Sequence, residues 1–168
     1  ISRSIIVWNS SIAKKNKKRR NSSKIVFMPS NKIEKLEKLV NSELTSKIIR
    51  SVTEFDELLM ELEVENLIEV IQFLKSNEKC KFRQLIDIAG VDYPEEDKRF
   101  ELVYLFLSHE LNQRIKILIK FEMGKKIPSL TKIFPAANWM EREVFDMYGI
   151  SFENHPDLRR ILTDYDFK

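Results

Sequence analysis

Between Trp139 and Gly149 the chain reads Trp-Met-Glu-Arg-Glu-Val-Phe-Asp-Met-Tyr-Gly, four charged side chains set among large apolar ones. Three chemistries suit those residue types. Glu141 and Glu143 could exchange protons as an acid–base pair, which demands a concave site and a shifted pKa; no pocket signature accompanies them. Arg142 and Asp146 stand four apart and can close an ion pair along a helix, worth roughly a few tenths of a kcal/mol on a solvated face. Arg142 with Trp139 and Tyr148 could instead anchor a protein interface, where aromatic and arginine side chains carry most of the binding energy. A second cluster follows, Asn154-His155-Pro156-Asp157-Leu158-Arg159-Arg160-Ile161-Leu162-Thr163-Asp164-Tyr165, apolar anchors alternating with Arg and Asp. Such a segment keeps its order by lying across another surface, its own or a partner's. Interface residues are therefore expected at Trp139, Glu141, Arg142, Glu143, Asp146, Tyr148, His155, Asp157, Arg159, Arg160, Asp164 and Tyr165.

Other chemistry finds little support. Cys80 lies between Lys79 and Lys81, which could lower its pKa, but a half-buried cysteine at a helix–strand junction is the plainer reading. A single cysteine forms no internal disulfide, cysteine-ligated cluster or zinc ribbon. The two histidines, His109 and His155, form no HExxH pairing. The three glycines, Gly90, Gly124 and Gly149, build no phosphate-cradling loop. No catalytic, cofactor-binding or metal-ligating residue is expected.

The elements that must position these clusters belong to a chain of 168 residues, 43% hydrophobic and 33% charged, long enough to bury a core. No apolar run approaches the roughly 20 residues a membrane span needs. The net charge of +3 hides an asymmetry. Residues 1–24 hold eight basic side chains and no acidic one; the other 144 residues hold 21 basic and 26 acidic. Lys14-Lys15-Asn16-Lys17-Lys18-Arg19-Arg20 repel one another, so residues 1–30 are expected as a basic arm that tethers to an acidic surface or anionic lipid. An acid-free, Ser-rich start also resembles a transit peptide, and the first residue, Ile1, suggests processing. Frequent Lys and Ile, 19 each, against 4 Ala hint at an AT-rich coding genome such as an organelle's.

From residue 31 the pattern is that of a folded domain, expected over 31–150. Asn31 and Glu34 form a helix start, with Ile33, Leu36, Leu39 and Val40 as its apolar stripe. Residues 46–54 and 57–64 read as strands, the second alternating Leu58, Met60, Leu62 and Val64 with glutamates. Residues 65–76 read as a helix. Phe82–Val91, 99–108 and 113–121 read as strands, the middle one apolar on both faces and therefore expected to be covered on both sides. Pro128 and Pro135 bracket a turn. Asn138 is the expected cap of a last helix with Met140, Val144 and Met147 on its core face, ended by Gly149. Residues 151–168 are expected as an extended tail. The fold class is α+β: a small mixed sheet with helices packed mainly on one face.

The run PAANWMEREVFDMYGISFENHPDLRRILTDYDF resembles the C subunit of respiratory NADH:quinone oxidoreductase (complex I), the 30-kDa-type subunit of mitochondria. FLKSNEKCKFRQLIDIAGVDYPEEDKRFELVYLFLS and IPSLTKIFPAANW are similar to the same family. The resemblance begins near Leu67 and is specific, because EREVxDMxGI followed by HPDLRRIL is not a generic motif. It implies a small mixed-sheet fold and a subunit of the quinone-reducing module in the peripheral arm. It implies no cofactor on this chain, within a complex that holds FMN, iron–sulfur clusters and ubiquinone. The implied partners are the large quinone-site subunit and neighbouring iron–sulfur subunits, with no nucleic acid. The implied place is the matrix side of the mitochondrial inner membrane, or the cytoplasmic membrane face if prokaryotic. Asn154 and Asp166 stand where the family usually has glycine; Asn tolerates positive φ and Asp less so. The family commonly continues beyond this point, so a further grip on the neighbour is expected from elsewhere. The competing reading is an adaptor whose basic arm binds RNA or a ribosome.

Overall fold

The computed structural model describes residues 31–164, 166 and 167. The expected basic arm, residues 1–30, and Tyr165 lie outside the described residues. In chain order the elements are α1 (Asn31–Glu43), β1 (Ile48–Glu54), β2 (Glu57–Leu62), α2 (Leu67–Ser76), β3 (Gln84–Asp92), β4 (Phe100–Ser108), β5 (Gln113–Phe121), β6 (Ile127–Pro128), α3 (Ala137–Tyr148) and β7 (Phe152–Glu153). Short 3₁₀ turns at Thr45–Lys47 and Val64–Asn66 precede β1 and α2, which therefore start about two residues later than the sequence pattern suggests.

Five strands form one mixed sheet in the order β1-β2-β5-β4-β3, with β2 and β5 parallel and the other pairs antiparallel. The period-two alternation of β2, β4 and β5 sets the register, because a one-residue slip would turn every apolar side chain to water. Residues in register line up in three rows: Leu58–Ile115–Phe106–Leu85, Met60–Ile117–Tyr104–Ile88, and Leu62–Ile119–Leu102–Gly90. Apart from Gly90, every member of these rows is buried. The core lies between this face and the helices: Ile33, Leu36 and Val40 from α1, Leu67, Val70, Ile71 and Leu74 from α2, Ala137 and Val144 from α3. The α+β class with helices on one face is thus the observed architecture.

The expectation that β4 is covered on both sides is not met within the described residues. Phe100, Leu102, Tyr104 and Phe106 are buried, whereas Val103, Leu105 and Leu107 are only half-buried. Their face also carries Lys116 and Lys120, paired with Glu57 at 2.6 Å and Glu96 at 3.2 Å, so it is a mixed ionic and apolar surface.

The start of α3 also differs from expectation. Ala136, not Asn138, is the cap residue, and no side chain among the described residues caps the helix there. The chain enters through a turn in which the Ala137 and Asn138 amides donate to the Phe134 and Pro135 carbonyls, so those donors already have partners. The other end is as expected: Gly149 takes φ +71° and its amide donates to Phe145 O. The chain then forms β7, whose parallel pairing with β6 ties the start of the tail to the domain.

Candidate functional site

α3 and the segment after it form one unit. Arg142 and Asp146 do not pair with each other as their spacing suggests; each takes hold of the tail's backbone. Arg142 donates from Nε to Arg159 O at 3.0 Å and from Nη2 to Arg160 O at 2.9 Å. Asp146 Oδ2 accepts the amides of Ile161, Leu162 and Thr163 at 3.0, 2.7 and 2.8 Å, and Oδ1 accepts the Thr163 hydroxyl. The reason for the exchange is the irregular tail, whose carbonyls and amides have no strand or helix partner and offer each charge several hydrogen bonds. Desolvation pushes the Asp146 carboxyl up, but the Thr163 hydroxyl and the three amides outweigh it and hold the group well below the ordinary carboxylate range.

Glu141 lies five positions before Asp146 on α3 and is its opposite. The buried stripe of α3 is Ala137, Glu141 and Val144, rotated from the expected Met140, Val144 and Met147; Met147 is exposed. Glu141 can occupy that stripe because its Oε1 accepts the Leu130 amide at 2.7 Å. It is 0% exposed, so it is a core residue and not the interface contact expected of it. Burial pushes its carboxyl up to about 7, against the pull of the Ser129 hydroxyl and the Leu130 amide. Among the described residues its Oε2 has no hydrogen-bond partner, and neither does the buried Tyr104 hydroxyl. Burial, then the Glu141 charge, pushes the Tyr104 phenol far up. His155 closes the cluster. Its Nδ1 accepts the Asp157 amide at 3.1 Å, so Nε2 carries the ring proton and donates to Asn138 O at 3.0 Å. Glu141 Oε2 lies 3.9 Å from that nitrogen, outside hydrogen-bond range.

The remaining expected residues divide by exposure. Trp139 is 70% exposed, and with Glu143 and Met147, four and eight positions on, it forms an exposed stripe along α3. Tyr148 packs its ring on Gly90, where an added Cβ would stand 2.8 Å from the ring. Asp157 and Arg159 pair at 2.9 Å on the surface. Arg160 donates to Asp164 O and Phe167 O at 3.2 and 2.8 Å. Tyr165 lies outside the described residues. Asn154 takes φ +61°. Sequence reasoning overlooked Tyr104 and Gly90 as parts of this unit, whereas Asn138 was expected there as a helix cap and Thr163 as part of the tail motif. Gly90 gave a signal, a glycine inside a strand pattern, which marks a close approach; Tyr104 gave none.

The alternative nucleophile and ligands lie elsewhere. Cys80 is fully buried, and burial raises its thiol to about 11. Lys81 is turned to Glu78 and Glu110 instead. His109 contacts Gln84 on the surface. Among the described residues no group of three or more His, Cys, Asp or Glu side chains is placed to hold a metal ion, and no helix is long and apolar enough to cross a membrane.

Solved structures share this mixed five-stranded sheet with helices on one face. A trypsin-resistant fragment of Nqo5 matches with a TM-score of 0.64 at 26% identity, over 76% of this chain and 99% of that one. A chain of an archaeal membrane-bound sulfane sulfur reductase shares the fold at a TM-score of 0.68, with 23% identity over 79% of this chain and 78% of its own. The family model for the respiratory-chain NADH dehydrogenase 30 Kd subunit matches residues 60–168, and the chain belongs to that family. The NADH-quinone oxidoreductase C subunit of Ruegeria pomeroyi is 52% identical over 114 residues, 68% of this chain and 57% of that protein. The Rhodospirillum rubrum protein of the same name is 44% identical over 140 residues, 82% of this chain and 66% of that protein. The chain therefore spans about three fifths of the length of the curated relatives it matches.

Proposed function

We propose that this chain is a structural subunit of the quinone-reducing module in the peripheral arm of a proton-pumping NADH:quinone oxidoreductase. Family membership over residues 60–168 carries the reading. The site supports it: Arg142 and Asp146 fix the shape of the molecule's own tail, while Trp139, Glu143, Met147 and Leu162 remain exposed beside it. A pre-ordered surface with an aromatic and a methionine on it binds a partner at lower entropic cost than a free tail. Its partners are the large quinone-site subunit and the adjoining iron–sulfur subunits, which hold the FMN, clusters and quinone of the complex. Asp157, Arg159, Arg160 and Asp164 form the polar rim of that contact. The chain does no electron transfer itself, and its place is peripheral, on the matrix side of the mitochondrial inner membrane. Affinity recovery of the tagged chain from detergent-solubilised mitochondria tests this. NADH:quinone reductase activity, flavin and iron–sulfur absorbance should co-elute with it. Recovery as a free chain, or NADH turnover by the isolated chain, would overturn the reading.

A further inference from the structure

The hairpin between β1 and β2 turns on two residues, Phe55 and Asp56, with Glu54 opposite Glu57. Both turn residues have positive φ, 53° and 63°. A two-residue hairpin of this hand is ordinarily built from Asn-Gly or Asp-Gly, because the left-handed region crowds Cβ against the carbonyl. Phenylalanine has no polar atom with which to ease that conformation, and it is a genuine outlier there. Its ring is 81% exposed, so no packing among the described residues offsets the strain. Residues 53–57, Thr-Glu-Phe-Asp-Glu, carry three carboxylates and no base. Thr53 also donates to Glu37 at 2.8 Å, which brings a fourth carboxylate beside the turn. At the base of the turn Lys116 is held by Glu57 at 2.6 Å. The tip is an apolar knob in an acidic collar, strained and wetted at once. Such a residue persists where a second surface uses it.

We infer that Phe55 is an anchor that inserts into an apolar pocket with a basic rim on a neighbouring protein of the assembly. The inference rests on the proposed function and extends it. β1 is one edge of the sheet and β3 the other, and α3 packs on β3. The hairpin tip therefore engages a different surface from the Trp139 stripe, and the chain bridges two neighbours. The collar selects a basic rim by charge complementarity.

The strain makes the test clean, because removing the anchor should strengthen the fold. The full chain is prepared unchanged, as Phe55→Asn and as Phe55→Leu. Phe55→Asn should raise the thermal midpoint of the isolated chain by about 2–4 °C, since Asn accepts positive φ, and lower incorporation into the membrane complex on native gels by about tenfold. Phe55→Leu keeps an apolar knob and should incorporate within about threefold of the unchanged chain. Normal incorporation of Phe55→Asn overturns the anchor and leaves the scaffold reading standing. A lowered midpoint overturns the strain argument and with it the anchor. An unchanged chain that dimerises in solution, and Phe55→Asn that does not, would make the occupant a second copy and overturn the proposed partner. Failure of the unchanged chain to incorporate overturns both proposals.

Discussion

Glu141 and Asp146 sit five positions apart on one helix and answer protons in opposite senses. The raised Glu141 pKa, about 7 against an ordinary 4.5, means the folded state favours the neutral acid. Its ionisation is free of penalty in the unfolded chain, so the fold loses stability as pH rises from about 4.5 to 7 and no further above that. Glu141→Gln keeps an acceptor for the Leu130 amide without the charge. It should match the native chain near pH 4 and exceed its stability by on the order of 3 kcal/mol at pH 8, read from denaturant unfolding at several pH values. An equal difference at both pH values would contradict the buried, uncompensated Oε2. Asp146 has its pKa lowered from 3.8. Its grip on the tail is therefore complete above the ordinary value and is lost only as pH falls through the lower folded one. Asp146→Ala should abolish hydrogen-exchange protection of the Ile161, Leu162 and Thr163 amides at neutral pH while leaving β4 and β5 protected. In the native protein that protection should survive at pH 4.

Each element's contact with its neighbour depends on a few side chains. The third row of the sheet ends at Gly90, and the ring of Tyr148 occupies the space a side chain there would fill. Gly90→Ala puts a Cβ at 2.8 and 2.9 Å from two ring carbons, so the end of α3 must lift. The expected loss is about 1–3 kcal/mol, with changed near-ultraviolet circular dichroism from the displaced tyrosine; an unchanged spectrum and stability would show the ring free to swing away. The strands that carry these contacts were legible in the sequence because alternation in β2 and β5 is a local signal. Gly149 as the end of α3 was legible for the same reason. The rotation of α3 was not, since a glutamate on a buried stripe makes sense only once the Leu130 amide is known to face it. The Arg142–Asp146 spacing predicted a local pair because helix geometry is local. The competing partners come from residues 159–163, and only folding brings them there. Half-cover of β4 escaped for a similar reason: an apolar run reports hydrophobicity, not which neighbours arrive.

At the scale of the molecule the two faces of the sheet carry different work. The helix side holds the core, the clamp and the ordered tail, whereas the open side holds ion pairs such as Lys120 with Glu96. Arg142 joins two covalently distant parts, and its hydrogen bonds to the Arg159 and Arg160 carbonyls are charge-assisted. Removing it strands two carbonyls and loosens a charged hold on that stretch, a loss of about 1.5–3 kcal/mol. Lys120 reaches Glu96 at 3.2 Å and the buried Glu101 at 3.8 Å on the open face of the sheet, and neither contact holds the tail. If assembly uses the surface that the clamp shapes, the two substitutions must differ in the complex more than in the free chain. Arg142→Ala should lower the amount of assembled complex on native gels several-fold, and Lys120→Ala should leave it near the native level, with both chains still folded by far-ultraviolet circular dichroism. The distinction lies in what each change does to shape: a missing lysine alters contacts with Glu96, Glu101 and Tyr93 within the sheet's open face, but a missing clamp lets residues 159–163 sample many positions, and a partner must then restrict them at its own expense in entropy. Equal losses from the two variants would place the docking surface on the open face of the sheet and away from α3.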